Sequence, residues 1–483
     1  MKRIALSLII CHLTLVASAE VKLPSFFCDN MVLQQQTECN LWGTADADKQ
    51  VTIKTSWDNK TYRVKADGTG RFEVKVQTPE AGGPYDITLS DGKPVVLHNI
   101  LIGEVWLCSG QSNMEMTMKG FKAQPVEGAN EELLSCKDDQ LRLLYVKRTA
   151  QLTPQYDIKG GTWRVADADA VRNFSACAYY FGKVLRKNLG VPVGLICTSF
   201  GGSACEAWMK AEWLRAYPQV QQTITEADVK KLNQRCPTAL YNGQLYPLIG
   251  YNMRGVIWYQ GEDNVPRYTY YADLLKTMVE GWRSEWKQGD FPFYFCQIAP
   301  YEYSLSGMRD SQYLREQQQK AENIIPNSRM AVLMDAGLDY GIHPRKKREA
   351  GERLAILALA NTYGMKGLPD YAKYGGVEFQ GDTAVVSFEN SKEWVYFEHG
   401  TTSKNFEVAG ADRVFHPATK VWISRNRLYV QCDKVKEPVA VRYAFKDYAD
   451  GDLMHDGLPV SSFRTDDWEY NPTPVTSDKD YNE

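Results

Sequence analysis

The central part of the sequence alternates apolar runs with helical segments, and this alternation constrains the fold more than any other feature. The runs GEVWLC, VPVGLIC, RGVIWYQ, FPFYFC and MAVLMD each lead into a polar turn or a helical stretch. Short apolar runs bounded by turns are typical of buried strands, and strands that alternate with helices favour a parallel sheet. We therefore predict an α/β domain with a doubly wound parallel sheet over residues 101–375.

Both flanks of this region have β character. Residues 20–100 contain the alternating runs VTIKTSW, RFEVKVQ and YDITLS between Gly, Asp and Pro turns, which predicts an N-terminal β-sandwich. Residues 376–470 contain TAVVSF, WVYFEH and RLYVQC and are predicted to form a C-terminal β region. The polar, Pro-containing residues 471–483 are predicted to be a flexible tail.

The first 19 residues have the layout of an export signal. A basic start precedes an apolar middle, and Ala17-Ser18-Ala19 stands before Glu20. This order predicts a signal peptide that is cleaved near Ala19, and an exported protein in the periplasm or outside the cell. No later stretch is apolar enough to span a membrane, so stable membrane insertion is not expected.

Charge and cysteine spacing exclude two classes of partner. The formal net charge is −3, and no basic patch suited to phosphate neutralisation is present, which argues against nucleic acid. The basic run at residues 345–348 is interpreted as the solvent-facing side of a helix. No CxxC or Cys/His spacing indicates a metal site. Cys108, Cys197 and Cys296 lie in apolar strands and are predicted to be buried as small hydrophobic side chains.

Ser112 is the candidate nucleophile. The strand residues that precede it stop at Ser109-Gly110, a small-residue turn, and a helix-compatible stretch follows. A serine there is exposed at a strand end and close to free backbone N–H groups, which suits a reaction that passes through an oxyanion. The same pattern also fits an ordinary helix-capping serine, so the turn alone leaves both interpretations open.

His343 is the candidate general base. The chain has six histidines, and His343 is the one placed after a strand in the α/β region, directly before a proline that favours a helix start. Asp339 and Asp335 are the nearby carboxylates that could orient the imidazole through a loop. Together with Ser112, this histidine would form a nucleophile and base pair.

Two further strand ends supply candidates for stabilising an oxyanion. Gly201 and Gly202 lack side chains, which lets backbone N–H groups approach a ligand closely. The side-chain amide of Gln260 could also donate to the oxyanion, while Glu262 could brace a neighbouring loop. Tight turns and helix caps account for these residue types equally well.

These blocks in order resemble a known family. The matching segments are GQSNM at 110–114, GGS and EAW within 201–208, WYQGE at 258–262, and IHP with GERLA within 342–355. FCDNMVLQQ near the start and GLPVSSFRTD near the end match as well. The chain resembles the sialate O-acetylesterase family within the SGNH hydrolase superfamily over nearly its whole mature length, which implies an SGNH-type fold.

The resemblance also implies roles for single residues. Ser112 would be the nucleophile and His343 the base. The oxyanion hole would comprise the backbone N–H groups of Ser112 and of Gly201 or Gly202, together with Gln260. Substrate binding or support of the site falls to Gln111, Asn113 and Glu262. The superfamily places an aspartate three residues before the histidine, where this chain has Tyr340. Asp339 is thus one place off, and a Ser–His dyad is the alternative.

The sequence therefore predicts a secreted serine esterase that removes O-acetyl groups from sialic acid or related glycans. No metal or organic cofactor is expected, and the expected partner is an acetylated carbohydrate. Three alternatives stay open, namely an acetylxylan or other polysaccharide esterase, a non-catalytic glycan-binding protein on a hydrolase fold, and a peptidase. The oligomeric state is left open by the sequence.

Overall fold

The computed structural model describes residues 20–469. The predicted signal peptide (1–19) and tail (471–483) lie outside the described residues. The N-terminal region consists of strands whose side chains alternate between core and surface, for example the buried Val51, Ile53 and Thr55. These strands are β1 (Val32–Gln34), β2 (Glu38–Thr44), β3 (Gln50–Thr55), β4 (Thr61–Lys65), β5 (Arg71–Gln77), β6 (Gly82–Ser90) and β7 (Pro94–Gly110).

Strand β7 joins the N-terminal region to the centre of the molecule. It is 17 residues long. Its first half pairs antiparallel with β6, and β1 pairs with it in parallel from Leu101. Its second half is buried and pairs in parallel with strands of the central region. The predicted boundary at residue 100 falls inside this strand, so the two regions share it.

The central region alternates strands and helices as its sequence predicts. Its regular elements are α1 (Ser112–Glu115), α2 (Ala129–Ser135), β8 (Asp138–Tyr145), β9 (Trp163–Ala166), α3 (Ala168–Arg172), α4 (Ala176–Leu189), β10 (Val193–Ser199), α5 (Ala211–Leu214), α6 (Glu226–Leu232), β11 (Gly255–Tyr259), α7 (Tyr271–Trp286), β12 (Phe293–Cys296), α8 (Ser311–Ile324), β13 (Ser328–Ala331) and α9 (Lys347–Asn361). Short 3₁₀ helices cover Cys205–Trp208, Asn233–Arg235, Tyr246–Leu248, Glu262–Tyr270 and Tyr303–Ser306, and a π turn covers Tyr241–Leu245.

The alternation of strands and helices around one sheet confirms the α/β class, and that central sheet is mixed. Its strand order is β13-β12-β11-β7-β10-β8-β9. All neighbouring pairs from β13 to β8 are parallel, and the edge strand β9 is antiparallel to β8. The chain builds β8 and β10 on one side of β7 and then β11, β12 and β13 on the other. In sheets of this kind, ligands bind beyond the carboxyl ends of the strands where this change of direction occurs.

The C-terminal region is composed of small sheets. Its strands are β14 (Lys373–Gln380), β15 (Thr383–Glu389), β16 (Val395–Phe397), β17 (Phe406–Ala409), β18 (Phe415–Pro417), β19 (Lys420–Ser424), β20 (Arg427–Gln431), β21 (Ala440–Tyr443), β22 (Leu453–His455), β23 (Leu458–Pro459) and β24 (Phe463–Arg464). They form sheets of four, three and four strands. Strand β14 begins shortly before the predicted boundary at residue 375.

The predicted burial of the strand cysteines is confirmed. Cys108, Cys197 and Cys296 are fully buried, and the ten cysteines between residues 20 and 469 are all free thiols. In the same range no helix has the length and apolar character that a bilayer crossing requires.

Candidate active site

Three of the predicted site segments follow adjacent strands of the central sheet. Ser112 follows β7, Gly201 and Gly202 follow β10, and Gln260 follows β11. Because β10, β7 and β11 are parallel neighbours, their carboxyl ends lie side by side. A Cβ atom built on Gly201 would lie 3.4 Å from the Ser112 Cβ atom, so these two segments are in direct contact.

The turn that presents Ser112 depends on a glycine. Gly110 has a φ of +142°, and a Cβ atom there would lie 2.2 Å from the carbonyl oxygen of Tyr259. Only glycine fits such a close approach to the neighbouring strand. The next residue is fixed as well, because the Gln111 N–H donates to the same Tyr259 oxygen at 3.0 Å. The sharp exit predicted from the small residues is thus formed by backbone contact between β7 and β11.

Gln111 acts as a structural link. Its side chain is buried, and its Oε1 accepts hydrogen bonds from the backbone N–H groups of Gly261 and Asp263 at 3.2 and 3.3 Å. It therefore ties the Ser112 turn to the turn after β11. Of the two roles predicted for Gln111, these contacts correspond to support of the site.

Ser112 itself is half-buried and begins helix α1. Among residues 20–469, its backbone N–H has no hydrogen-bond partner, as is usual at the first position of a helix. Helix α1 is four residues long, so its dipole is weaker than that of a full helix. The free N–H group, more than the helix dipole, is what this turn offers to a developing negative charge.

Asn113 connects Ser112 to the loop that carries His343. Its Nδ2 donates to Glu262 Oε1 at 2.5 Å and to the carbonyl oxygen of Ile342 at 3.1 Å. Its Oδ1 accepts from Lys347 Nζ at 2.6 Å. The residue after the candidate nucleophile is thereby bonded to the residue before the candidate base.

The charges around Asn113 are buried and partly compensate each other. Burial raises the pKa of Glu262, while the hydrogen bond from Asn113 and the positive charge of Lys347 oppose this shift. Burial lowers the pKa of Lys347 to about 8, and Glu262 acts in the opposite direction. The ammonium group also lies 5.5 Å from the centre of the Tyr259 ring. Glu262 and Lys347 are thus connected through Asn113, and the supporting role of Glu262 stays a prediction.

Lys347 corrects one interpretation of the sequence. The other three residues of the basic run 345–348 are exposed, as predicted, but Lys347 is buried. It belongs to the first turn of α9, four residues after His343. The sequence does not reveal the burial of Lys347, because the other residues of the basic run are exposed to solvent.

The two glycines after β10 have different roles. The Gly201 N–H donates to Glu115 Oε2 at 2.8 Å, so this group is already engaged and the predicted oxyanion role of Gly201 is not met. Gly202 has a φ of +69°, and within the described chain its N–H has no hydrogen-bond partner. Of the predicted backbone donors, the N–H groups of Ser112 and Gly202 are therefore the ones without a partner among residues 20–469.

Glu115 and Arg148 support the Gly201 turn, and sequence analysis missed both. Glu115 is buried, accepts from Gly201, and forms an ion pair with Arg148. Arg148 is half-exposed and also lies over the Phe200 ring at 5.3 Å. The sequence feature that could have indicated the role of Glu115 is its position three residues after Ser112, in the same short helix.

The predicted oxyanion role of Gln260 is not met either. Its side chain is fully buried, and Nε2 donates to Ser203 O at 3.0 Å and to Asn264 Oδ1 at 2.7 Å. Its Oε1 accepts from the Tyr271 hydroxyl at 2.9 Å. Both amide hydrogens are engaged inside the protein, so Gln260 fixes the turn after β11 and has no hydrogen left for a ligand.

His343 lies on the loop before α9, partly buried beside the loop that follows α1. The Phe121 ring meets the imidazole edge-on, with 5.0 Å between the ring centres. The imidazole Nδ1 lies 2.7 Å from Gln124 Oε1. Burial and the positive charge of Lys347 lower the pKa of His343 to about 4, so the ring is neutral at neutral pH.

Neither predicted aspartate contacts His343. Asp339 is exposed, and its Oδ1 accepts from the backbone N–H of Tyr340 at 2.9 Å, so it stabilises its own turn. Asp335 forms a two-oxygen ion pair with Arg353. No contact in this structure supports the prediction of Asp339 as the acid of a triad, and the side chain beside the imidazole Nδ1 is that of Gln124.

The arrangement contains the groups that acyl transfer requires, but among residues 20–469 no hydrogen bond joins the side chains of Ser112 and His343. It combines a half-buried serine, a neutral histidine on an adjacent segment, and two free backbone N–H groups. Among residues 20–469, no group of three or more His, Cys, Asp or Glu side chains is placed to hold a metal ion. The expectation of a cofactor-free reaction stays a prediction.

The fold is that of an α/β protein, and comparisons with known proteins give an enzyme of the esterase class and its family. The model of the carbohydrate esterase family described as sialic acid-specific acetylesterase matches residues 102–357. This match extends from β7 into α9 and so includes both Ser112 and His343. The chain belongs to this family.

Individual relatives agree with this assignment. The chain is 28% identical to rat sialate O-acetylesterase in an alignment 424 residues long, which covers 75% of this chain and 77% of the rat protein. It is 29% identical to the human enzyme in an alignment 383 residues long, which covers 71% of each chain. A solved carbohydrate acetylesterase from Xanthomonas citri is 34% identical, superposes with a TM-score of 0.84, and is matched over 93% of this chain and 100% of its own length. The protein is therefore an esterase.

Proposed function

We propose that the protein removes O-acetyl groups from a carbohydrate by nucleophilic catalysis with Ser112 and His343. The single observation that carries this proposal is the hydrogen bond from Asn113 to the Ile342 carbonyl oxygen, which connects the segments of the two residues. The family membership supports the reaction class. The order of the central strands, with Ser112 at the change of direction, supports an SGNH-type hydrolase domain.

The reaction would follow the usual course of serine acyl transfer. Ser112 Oγ attacks the acetyl carbonyl carbon while His343 Nε2 accepts the hydroxyl proton. The backbone N–H groups of Ser112 and Gly202 stabilise the oxyanion. The imidazolium then gives its proton to the departing sugar oxygen, which leaves an acetyl group on Ser112. Water, deprotonated by His343, attacks that ester. As the bond between Ser112 Oγ and the acetyl group breaks, the imidazolium returns its proton to Ser112 Oγ and acetate is released.

The variant Ser112→Ala tests this proposal. Removal of the nucleophile is expected to lower acetate release on the order of 10⁴-fold or more, while the circular dichroism spectrum and thermal midpoint stay those of the wild type. Folded Ser112→Ala protein that keeps normal turnover of a small acetyl ester would contradict the proposal. Labelling of Ser112 by a phosphonate probe separates an enzyme from a glycan-binding protein, because a binder would bind sugar without being labelled.

The proposed substrate is an O-acetylated sialic acid or a related glycan. The description of the matching family and the mammalian relatives supports sialate esters. An acetylated polysaccharide such as acetylxylan is the second candidate. The Xanthomonas relative, which is 34% identical, is named only as a carbohydrate acetylesterase and is compatible with either substrate. Comparison of acetate release from acetylated sialic acid and from acetylxylan distinguishes the two.

Export is also part of the proposal. The basic start, apolar middle and Ala17-Ser18-Ala19 sequence support a leader that is removed near Ala19. An N-terminal sequence of the secreted or periplasmic protein that begins at Glu20 is the expected result. An intact Met1 on protein recovered from the cytoplasm would contradict it.

A further inference from the structure

We propose that Gln124 is the positioning residue of His343, and that its neutral side chain occupies the place that a carboxylate holds in a serine hydrolase triad. The inference rests on the proposed Ser112–His343 reaction and adds a third residue to it. It is supported by one direct contact, by the way the backbone holds Gln124, and by the absence of a carboxylate contact to the imidazole among the described residues.

The contact defines which ring nitrogen carries the proton. Gln124 Oε1 lies 2.7 Å from His343 Nδ1. An amide oxygen can only accept a hydrogen bond, so Nδ1 must be protonated in the neutral ring. Nε2 then keeps its lone pair and can accept the Ser112 proton. Gln124 thus selects the tautomer that a general base requires, a role that an aspartate performs in the usual triad.

The loop around Gln124 holds the side chain in place. Phe121 and Gln124 exchange backbone hydrogen bonds of 3.0 Å in each direction. Gly120, at a φ of +76°, allows the turn, because a Cβ atom there would lie 2.2 Å from the Gln124 carbonyl oxygen. The Glu127 N–H donates to Arg345 O at 3.0 Å, which fixes the loop to the segment just after His343. The Phe121 ring packs against the imidazole from the same turn.

The electrostatic surroundings of His343 follow from this arrangement. Charged groups on the elements around it are Lys119, Lys122 and Glu127 on the Gln124 loop, Glu115 on α1, Glu262 on the turn after β11, and Asp339, Arg345, Lys346 and Lys347 on its own segment. Of these, Lys347 shifts the pKa of His343, and it does so downward, in addition to burial. A carboxylate at position 124 would stabilise the imidazolium and raise this pKa, whereas the amide does not.

The low pKa of His343 extends the pH range in which the imidazole can act as a base. A histidine with an ordinary pKa loses its function as a base when the pH falls below about 6.5, because the ring is then protonated. His343, with its pKa near 4, stays neutral through that range. The acidic limb of the pH profile of kcat/KM is therefore expected near pH 4, where the free enzyme becomes protonated.

The isosteric variant Gln124→Glu tests the inference, with Lys122→Gln as the matched control. Both variants change the charge of the same loop by one negative unit, but residue 122 is exposed and makes no contact with the imidazole. Gln124→Glu is expected to move the acidic limb upward by roughly 1–3 pH units, and Lys122→Gln by a few tenths at most. Gln124→Ala is expected to lower kcat about 10–100-fold with KM within about twofold, because the ring loses its orientation.

An acidic limb of Gln124→Glu that coincides with that of the wild type would overturn the inference. A second measurement requires no variant. The ¹⁵N chemical shifts of the His343 ring at neutral pH are expected to report the Nδ1–H tautomer, and an Nε2–H tautomer would overturn the inference. If His343→Ala retains full activity, the proposed function fails. If His343→Ala is inactive while all Gln124 variants behave as wild type, only the role of Gln124 fails.

Discussion

The two halves of the candidate site are supported in different ways. The Ser112 half consists of strand ends and buried polar side chains. Gln111 is hydrogen-bonded to the turn after β11, and Asn113 and Gln260 are each hydrogen-bonded to more than one segment. The His343 half is a loop in which the imidazole has one polar contact within residues 20–469, to Gln124. The difference indicates that the backbone of the sheet determines where the nucleophile lies, while a single loop contact determines how the base is oriented.

The same difference appears in the charges. Near Ser112, the buried groups Glu262 and Lys347 share Asn113 as a bridge. Near His343, the nearest aspartate in sequence is exposed and bonded to its own turn. Substitutions on the Ser112 side should therefore affect stability and activity together, and substitutions on the His343 side should affect mainly activity.

On the His343 side of the site, the largest effect is expected from His343→Ala, and Asp339→Ala is its control. Loss of the base should lower kcat about 10³-fold with little change in the free energy of unfolding. Asp339→Ala should stay within about twofold of the wild type, because its carboxylate bonds only to its own turn. Steady-state rates on a soluble acetyl ester measure both. If Asp339→Ala loses as much activity as His343→Ala, the imidazole has an aspartate partner and the comparison fails.

Asn113→Ala is expected to affect both properties. It removes the bridge between two buried charges and the link to Ile342, so kcat should fall about 10²-fold and the protein should lose about 3 kcal/mol of stability. Asn252→Ala is a suitable control, because Asn252 is also buried but accepts a hydrogen bond from the Asn40 N–H far from the site. Chemical denaturation and steady-state kinetics distinguish the two.

Asn252→Ala should lose stability and keep the wild-type kcat. The comparison of the two halves breaks down if Asn113→Ala unfolds no more readily than the wild type, since the Ser112 half would then not depend on its buried bridge.

A smaller effect is expected from Arg148→Ala. This change removes the partner of Glu115, whose other oxygen holds the Gly201 N–H, so kcat/KM should fall about tenfold as the turn after β10 shifts. Arg254→Ala is the matched control, because Arg254 forms a similar ion pair with the buried Glu104 at the opposite end of the parallel part of β7. Equal losses of activity in both variants would indicate a general loss of stability rather than an effect on the Gly201 turn.

Much of the Ser112 half was predictable from the sequence. Apolar runs that stop at small or polar residues locate the ends of β7, β10 and β11, and parallel pairing brings these ends together. The roles of Gly201 and Gln260 were not predictable, because residue type does not reveal that Glu115 and Ser203 already occupy their hydrogen atoms.

The His343 half was predictable only in part. The histidine stood out because it precedes a proline and a helix, but its partner is separated from it by 219 positions in sequence. Gln124 lies in a loop with no periodic pattern, and the residue type expected beside a catalytic histidine is a carboxylate and not a glutamine. Asp339 was favoured because it is close in sequence, yet a carboxylate in a turn readily bonds to the next backbone N–H, as it does here.

The most direct test of the account is to trap the acetylated enzyme. The protein is mixed with an activated acetyl ester, quenched within the first turnover, digested, and analysed by mass spectrometry to locate the acetyl group. The account predicts acetylation of Ser112 in the wild type and its near-complete loss in His343→Ala. Rapid turnover with no acetyl group on Ser112, or with the acetyl group on another residue, would contradict it.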